Sequence, residues 1–115
     1  MDWIDLTDKI IYSHENFSRV VHDHNISMVQ VSFESYIHGI TFKYRDGCSK
    51  EYGEDSGAQK GSMTLRRSEH LSRIEVKHRD ERLKLIWFHT SFGQSKKFGK
   101  GRRKHLQTHR GPEAD

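Results

Sequence analysis

The sequence contains few of the residues that cross-link a chain or anchor it in a membrane. Cys48 is the single cysteine among 115 residues, which excludes an intramolecular disulfide and fits a reducing compartment. No apolar run approaches the roughly 20 residues of a membrane span. The N-terminus has neither the basic region nor the long apolar region of a signal peptide. These absences predict a cytoplasmic protein if the chain is complete, and a secreted one if it belongs to a longer precursor.

Motifs of catalysis and metal binding are also missing. The chain has no G-x-S-x-G, no P-loop and no H-E-x-x-H, and nothing identifies a base beside Cys48. His22 and His24 would share one face of a strand, but no cysteine pair is present to complete a four-ligand zinc site. The sequence therefore predicts neither an enzyme nor a cofactor or metal site.

Charge is distributed unevenly between the two halves of the chain. Residues 1–60 carry six Lys/Arg against ten Asp/Glu, or −4, whereas residues 61–115 carry fourteen against six, or +8. The sum is the net charge of +4. The second half is therefore the expected location of any anionic partner.

Apolar residues alternate with polar ones, as in half-buried strands, but the phase changes between Phe33 and Ile40. The alternation predicts strands at residues 29–33 and 40–44, joined by a turn over Glu34 to Gly39. Further strands are predicted at 63–65 and 71–77, after a loop over residues 55–62. One proline, Pro112, and the lack of helical apolar spacing favour an all-β protein.

Two segments of the chain repeat each other at an offset of 46 residues. "IHGITFKYRDGCSKEYG" (37–53) and "LKLIWFHTSFGQSKKFG" (83–99) align without a gap and share six identities. Among these are Gly47 with Gly93 and Gly53 with Gly99. The sequence therefore predicts a repeated β unit.

The order of these segments resembles that of the jacalin-related lectins, especially the animal zymogen-granule-like members. The resemblance covers about Val29 to Gly101, two thirds of such a domain, and depends on four motifs. The matching residues are Ile40, Phe42, Tyr44, Gly47; Leu65, Glu69, Leu71, Ile74; Ile86, Phe88, Thr90, Gly93; and Phe98, Gly99. It implies an all-β jacalin-like β-prism of three four-stranded Greek-key sheets. Because only two units are visible, we expect an incomplete prism.

The resemblance also implies a non-catalytic module that binds glycans, either mannose-type or sulfated, through loops at one end of the prism. The middle loop of the family matches Lys77, His78, Arg79, Asp80 and Glu81, without the aromatic residue often found nearby. A Gly-x-x-x-Asp loop matches Gly111 and Asp115. The N-terminal glycine loop has no counterpart, since residues 1–28 contain no glycine. The alternative is that residues 77–82 form only a solvated hairpin tip.

A basic cluster near the C-terminus offers a different binding chemistry. It consists of Lys96, Lys97, Lys100, Arg102, Arg103 and Lys104. Such a cluster could bind sulfate or phosphate groups of glycosaminoglycans or nucleic acid, act as a nuclear import signal, or be a solvated tail. The lack of interleaved aromatic residues disfavours nucleic acid.

The predicted organisation is N-terminal strands or an extension at 1–28, a jacalin-like lectin domain at 29–101 and a flexible basic tail at 102–115. Without a third sheet, inward residues would meet water, and open sheet edges would favour self-association. The residues concerned are Val29, Val31, Ile40, Phe42, Ile86 and Phe88. A degenerate interaction domain that no longer binds sugar is the runner-up function.

Overall fold

The computed structural model describes residues 20–21, 23–53, 59–79, 82–99 and 106–110. The secondary structure within these ranges consists of eight antiparallel β-strands. They are β1 (Ile26–Phe33), β2 (Ile37–Tyr44), β3 (Ser49–Gly53), β4 (Gln59–Thr64), β5 (Leu71–Arg79), β6 (Arg82–Thr90), β7 (Ser95–Gly99) and β8 (Gln107–Arg110). No helix in this part of the chain is long and apolar enough to cross a membrane. The all-β prediction is confirmed.

The strands form two four-stranded sheets with the same topology. The first sheet has the order β3-β2-β1-β4 and the second has the order β7-β6-β5-β8. In each, three strands joined in succession are followed by a fourth that returns beside the first, which is a Greek key. The sequence repeat of 46 residues therefore corresponds to a repeat of structure.

A β-bulge explains the change of phase between β1 and β2. Val31 pairs with Ile40, whereas Phe33 pairs with Ile37, so one extra residue of β2 is accommodated after Ser32. Ile37 and Ile40 are consequently both buried, although their positions differ by an odd number. The predicted turn over Glu34 to Gly39 was too long, since β2 begins at Ile37.

The second sheet has a bulge at the equivalent position, between β5 and β6. A second irregularity also occurs at equivalent positions in both sheets. Between β5 and β6 the register shifts after Lys77, so that Leu83 and Ile86 are both buried. Near the start of β1 and of β5, a serine occupies a further irregularity. The Ser27 hydroxyl donates to the Lys43 carbonyl at 3.2 Å, and Ser72 donates to the His89 carbonyl at 3.3 Å. These bonds restore contacts where a bulge interrupts the ladder.

Aromatic side chains join the inner faces of the two sheets. Phe42 and Phe88 meet edge to face with ring centroids 6.4 Å apart, and Phe88 meets Phe98 at 6.1 Å. The expectation that the inward residues would meet water is wrong. Exposure is 2% or less at all six: Val29, Val31, Ile40, Phe42, Ile86 and Phe88.

Two predicted irregular segments contain strands. Residues 59–62 belong to β4 instead of a loop, and residues 107–110 form β8, which pairs with β5, instead of fraying. Alternation could not reveal these strands because both lie at the margin of their sheet and have little apolar content. The division of the chain at residues 28 and 101 stays a prediction, although β1 already begins at Ile26.

Candidate functional site

One end of the molecule, which we call the Tyr36 end, brings the turns of the two sheets together. The β1–β2 turn contains Tyr36, and β6 begins at Arg82. The Arg82 guanidinium lies over the Tyr36 ring, 4.2 Å from its centroid, in a cation–π contact. An aromatic ring is therefore present beside the β5–β6 turn, where the sequence suggested none, because it comes from the other sheet.

Three of the seven predicted sugar-binding residues lie at this end. Lys77, His78 and Arg79 are the last residues of β5, and Arg79 pairs with Arg82 across the turn. Lys77 and His78 are partly buried, whereas Arg79 is exposed. The other four lie outside the described residues: Asp80, Glu81, Gly111 and Asp115. Sequence reasoning missed Tyr36 and Arg82 because only the contact between the sheets gives them a common location.

His78 is the titratable group of this end with a resolved perturbation. Burial lowers the pKa of the His78 imidazole below its ordinary value of 6.5, so the ring is neutral at pH 7. A neutral imidazole retains both a donor and an acceptor for hydrogen bonds.

We expect His78 to make the folded state less stable in mild acid. Its pKa is lower in the folded chain than in the unfolded chain, so protonation favours unfolding as pH falls below about 6.5. His78→Gln should flatten this part of the pH profile, as measured by urea unfolding at closely spaced pH values. Identical profiles for wild type and His78→Gln would contradict the expectation.

The basic cluster is divided by the structure. The Lys96 ammonium donates to the Ser62 carbonyl at 2.8 Å and lies 5.8 Å from the Phe98 ring, so it helps to join the two sheets. Lys97 is exposed and pairs with Trp87 on the opposite face of β7 from Lys96. The remaining residues lie outside the described ranges: Lys100, Arg102, Arg103 and Lys104. Strand β7 runs toward the Tyr36 end, so the chain enters this basic segment there.

The opposite end, which we call the Glu69 end, is organised around a buried carboxylate. Glu69 is 1% exposed and accepts hydrogen bonds from the Arg66 backbone N–H (2.7 Å), the Gln94 side-chain amide (3.0 Å) and the Thr90 hydroxyl. Burial acts to raise the pKa of Glu69, but these donors outweigh it and hold the pKa below the ordinary 4.5. These bonds connect the loop before β5 with the end of β6, which gives the carboxylate a structural role.

Arginine and histidine side chains complete the Glu69 end. Arg45 donates to the carbonyl of Arg66 at 2.7 Å and to that of His24 at 3.2 Å, which connects three loops. His24 stacks on His70 with ring centroids 4.3 Å apart. Among the described residues no three histidine, cysteine or acidic side chains are placed to hold a metal ion. His22, the second histidine of the H-D-H segment, lies outside them.

A family model provides the decisive comparison. The Jacalin-like lectin domain matches residues 12–113 of this sequence. The chain belongs to the jacalin-like lectin family. The family predicted from the sequence is confirmed. The match also extends beyond the segment from Val29 to Gly101 on which the resemblance was based. Comparison with curated protein sequences gave no match.

Solved structures of lectins share the jacalin-like fold. A prostate-specific WGA16 glycoprotein lectin has a TM-score of 0.67 and 22% identity, over 81% of this chain and 67% of that one. Frutapin from Artocarpus incisa has a TM-score of 0.62 and 12% identity, over 76% of this chain and 67% of that one. Artocarpin complexed with Me-alpha-mannose has a TM-score of 0.60 and 13% identity, over 76% of this chain and 68% of that one. This jacalin-like chain thus spans about two thirds of the length of these lectins, and the all-β, jacalin-like fold is confirmed.

Proposed function

We propose that this jacalin-like domain is a non-catalytic carbohydrate-binding module that holds its glycan at the Tyr36 end. The observation that carries the proposal is the contact between Arg82 and Tyr36, which gathers an aromatic ring and the exposed Arg79 around one turn. Membership of a lectin family supports glycan binding as the general activity. Artocarpin, a structural neighbour, was solved with a mannoside, which favours mannose-type glycans as first candidates.

The side chains at this end have the chemistry that hydroxyl recognition requires. Guanidinium groups such as that of Arg79 donate several hydrogen bonds in a fixed geometry, and carboxylates accept them from neighbouring sugar hydroxyls. We assign the acceptor role to Asp80 and Glu81, which connect β5 to β6. The Gly-x-x-x-Asp segment from Gly111 to Asp115 is a further candidate sugar-binding loop, in which the Asp115 carboxylate would accept hydrogen bonds from sugar hydroxyls.

Replacing Arg82 by alanine should weaken glycan binding about tenfold. The substitution removes the cation–π contact that positions Tyr36 and also a donor at the proposed site. Titration calorimetry with a mannose-type oligosaccharide selected on a glycan array measures the change. Arg67→Ala is a matched control, because Arg67 is exposed in the loop before Glu69, at the opposite end. Equal affinity of wild type and Arg82→Ala would exclude this location.

A sulfated glycan is the second candidate ligand, favoured by the charge of this end. Lys77, Arg79 and Arg82 lie where the chain enters the basic segment after β7, within a half of the chain that carries +8. Anionic groups bind such clusters through charge-assisted hydrogen bonds.

Alanine at five basic positions should remove most of the retention on heparin. The positions are Lys96, Lys97, Arg102, Arg103 and Lys104. The variant should elute at lower salt than the wild type, because charge-driven binding is screened. A control with Lys43, Lys50 and Arg67 replaced loses charge elsewhere and should elute like the wild type. Unchanged elution of the fivefold variant would refute a role of this cluster.

Two further interpretations remain open to the same experiments. A jacalin-like interaction domain without sugar binding would give no signal on the glycan array and no retention on heparin. Self-association through sheet edges is also a prediction, in which the marginal strands β3, β4, β7 and β8 would pair with a second copy. Sedimentation at two concentrations tests it.

A further inference from the structure

A cavity with polar side chains in its lining lies on the outer face of the first sheet. Its volume is about 480 Å³. The strand register places one side chain from each strand in a row across this face: Glu51, Thr41, Gln30 and Ser62. All four line the cavity. The volume falls within the range of about 300–1,000 Å³ that is typical of small-molecule sites.

The repeat explains why this face has a cavity. At the positions equivalent to Thr41 and Gly39, the second sheet has Trp87 and Leu85. Leu85 is 1% exposed, and the Trp87 ring lies 5.0 Å from that of His89, so large side chains occupy that face. The first sheet has the same backbone topology with smaller side chains, which leaves the recess.

The equivalent row of the second sheet contains a paired carboxylate. Glu75, the counterpart of Gln30, forms an ion pair with Arg73 at 3.0 Å and lies 3.6 Å from the His89 imidazole. The row in the first sheet instead combines an amide, two hydroxyls and the Glu51 carboxylate around the recess. The two copies of the unit have therefore diverged in the chemistry of their outer faces.

The lining indicates the class of ligand. The recess is lined about equally by polar and apolar surface, although the side chains of Val31 and Ile40 themselves point into the core. The backbone groups of the inner strands β1 and β2 are already paired in the ladder, so over the middle of this face a ligand must be recognised by side chains. Hydroxyl, amide and carboxylate groups are complementary to a ligand with many hydroxyls. The lining combines the Glu51 carboxylate with the ammonium groups of Lys43 and Lys60, and this mixed charge favours a neutral ligand over a strongly charged one of either sign.

We propose that this cavity is a lateral binding site for a neutral saccharide of one or two rings. The Glu51 carboxylate accepts hydrogen bonds from a pair of ring hydroxyls, and the Gln30 amide and the Lys43 ammonium donate to ring oxygens. The site is separate from the Tyr36 end and does not depend on the function proposed there.

The test uses the whole chain labelled with ¹⁵N and titrated with maltose, cellobiose, chitobiose and mannobiose. At least one of these sugars should shift the amide signals of Gln30, Thr41, Glu51 and Ser62. Thr41→Trp introduces the side chain that the second sheet has at the equivalent position, so the fold accommodates it while the recess is filled. This variant should abolish the shifts, and Glu51→Gln should weaken binding at least tenfold. Arg82→Ala should leave them unchanged, which separates this site from the Tyr36 end.

Several results would overturn the lateral site. One is that the shifts are confined to residues 77–79 and 82, or that they occur only with a sulfated disaccharide. Another is that Thr41→Trp or Glu51→Gln binds the sugar as well as the wild type. A third is that none of the four sugars causes a shift at about 20 mM, which is about 20 times a Kd of 1 mM. Should Thr41→Trp fail to fold, Glu51→Gln alone decides between binding and no binding in the recess. Glu51 is exposed on an edge strand, so its substitution leaves the core intact.

Discussion

Glu69→Ala should lower the free energy of unfolding by about 3–5 kcal/mol, because it removes the acceptor that three hydrogen-bond donors share. The carboxylate of Glu69 is 1% exposed and satisfies the Arg66 backbone N–H, the Thr90 hydroxyl and the Gln94 amide. Alanine would leave these donors without their acceptor, and each buried unsatisfied group costs about 1–3 kcal/mol. Urea unfolding followed by tryptophan fluorescence measures the loss.

Glu69→Gln is the matched control, since glutamine has the same shape as glutamate and retains one oxygen that can accept hydrogen bonds. Its loss of stability should be smaller than that of Glu69→Ala. The pKa of Glu69 is lower in the folded chain than in the unfolded one, so its contribution is complete above about pH 4.5 and is lost as pH falls through the folded value. Glu69→Gln should remove this acid dependence. A Glu69→Ala variant within about 1 kcal/mol of the wild type would show that the network contributes little to stability.

Gly99→Ala should destabilise the chain by at least about 3 kcal/mol, more than positive φ alone would cost. Gly99 has φ of +99°, and this left-handed conformation costs a residue with a Cβ about 1–2 kcal/mol. A Cβ there would also overlap the backbone carbonyl of Lys84 and lie 3.2 Å from the Cα of Leu85. Because these are backbone atoms of a paired strand, β6 and β7 would have to separate.

Gly93→Ala isolates the effect of the close approach. Gly93 has a similar φ of +84°, but a Cβ there would meet nothing within 4 Å. Gly93→Ala should therefore lower the free energy of unfolding only by the cost of the positive φ, about 1–2 kcal/mol. Thermal unfolding of the two variants side by side gives the comparison, and equal losses would contradict the steric argument.

The sequence alone predicted the repeat and the fold family correctly. Alternation located β1, β2 and β5, because strands with one buried face show a period of two. The offset of 46 residues placed Gly47 with Gly93 and Gly53 with Gly99, and all four adopt positive φ in the structure. Positive φ is a backbone conformation that favours glycine over other residues, which is why this signal is visible in sequence.

Only the tertiary structure decided which residues share a site. Tyr36 and Arg82 belong to different sheets, and no local pattern connects them until the two turns meet at one end. Residues 59–62 of β4 and the whole of β8 were also invisible, since a strand at the margin of a sheet obtains its hydrogen bonds from a neighbour and needs little apolar content of its own. The cavity beside Thr41 likewise depends on how side chains from four strands align, because register is a property of the paired sheet and not of any single segment.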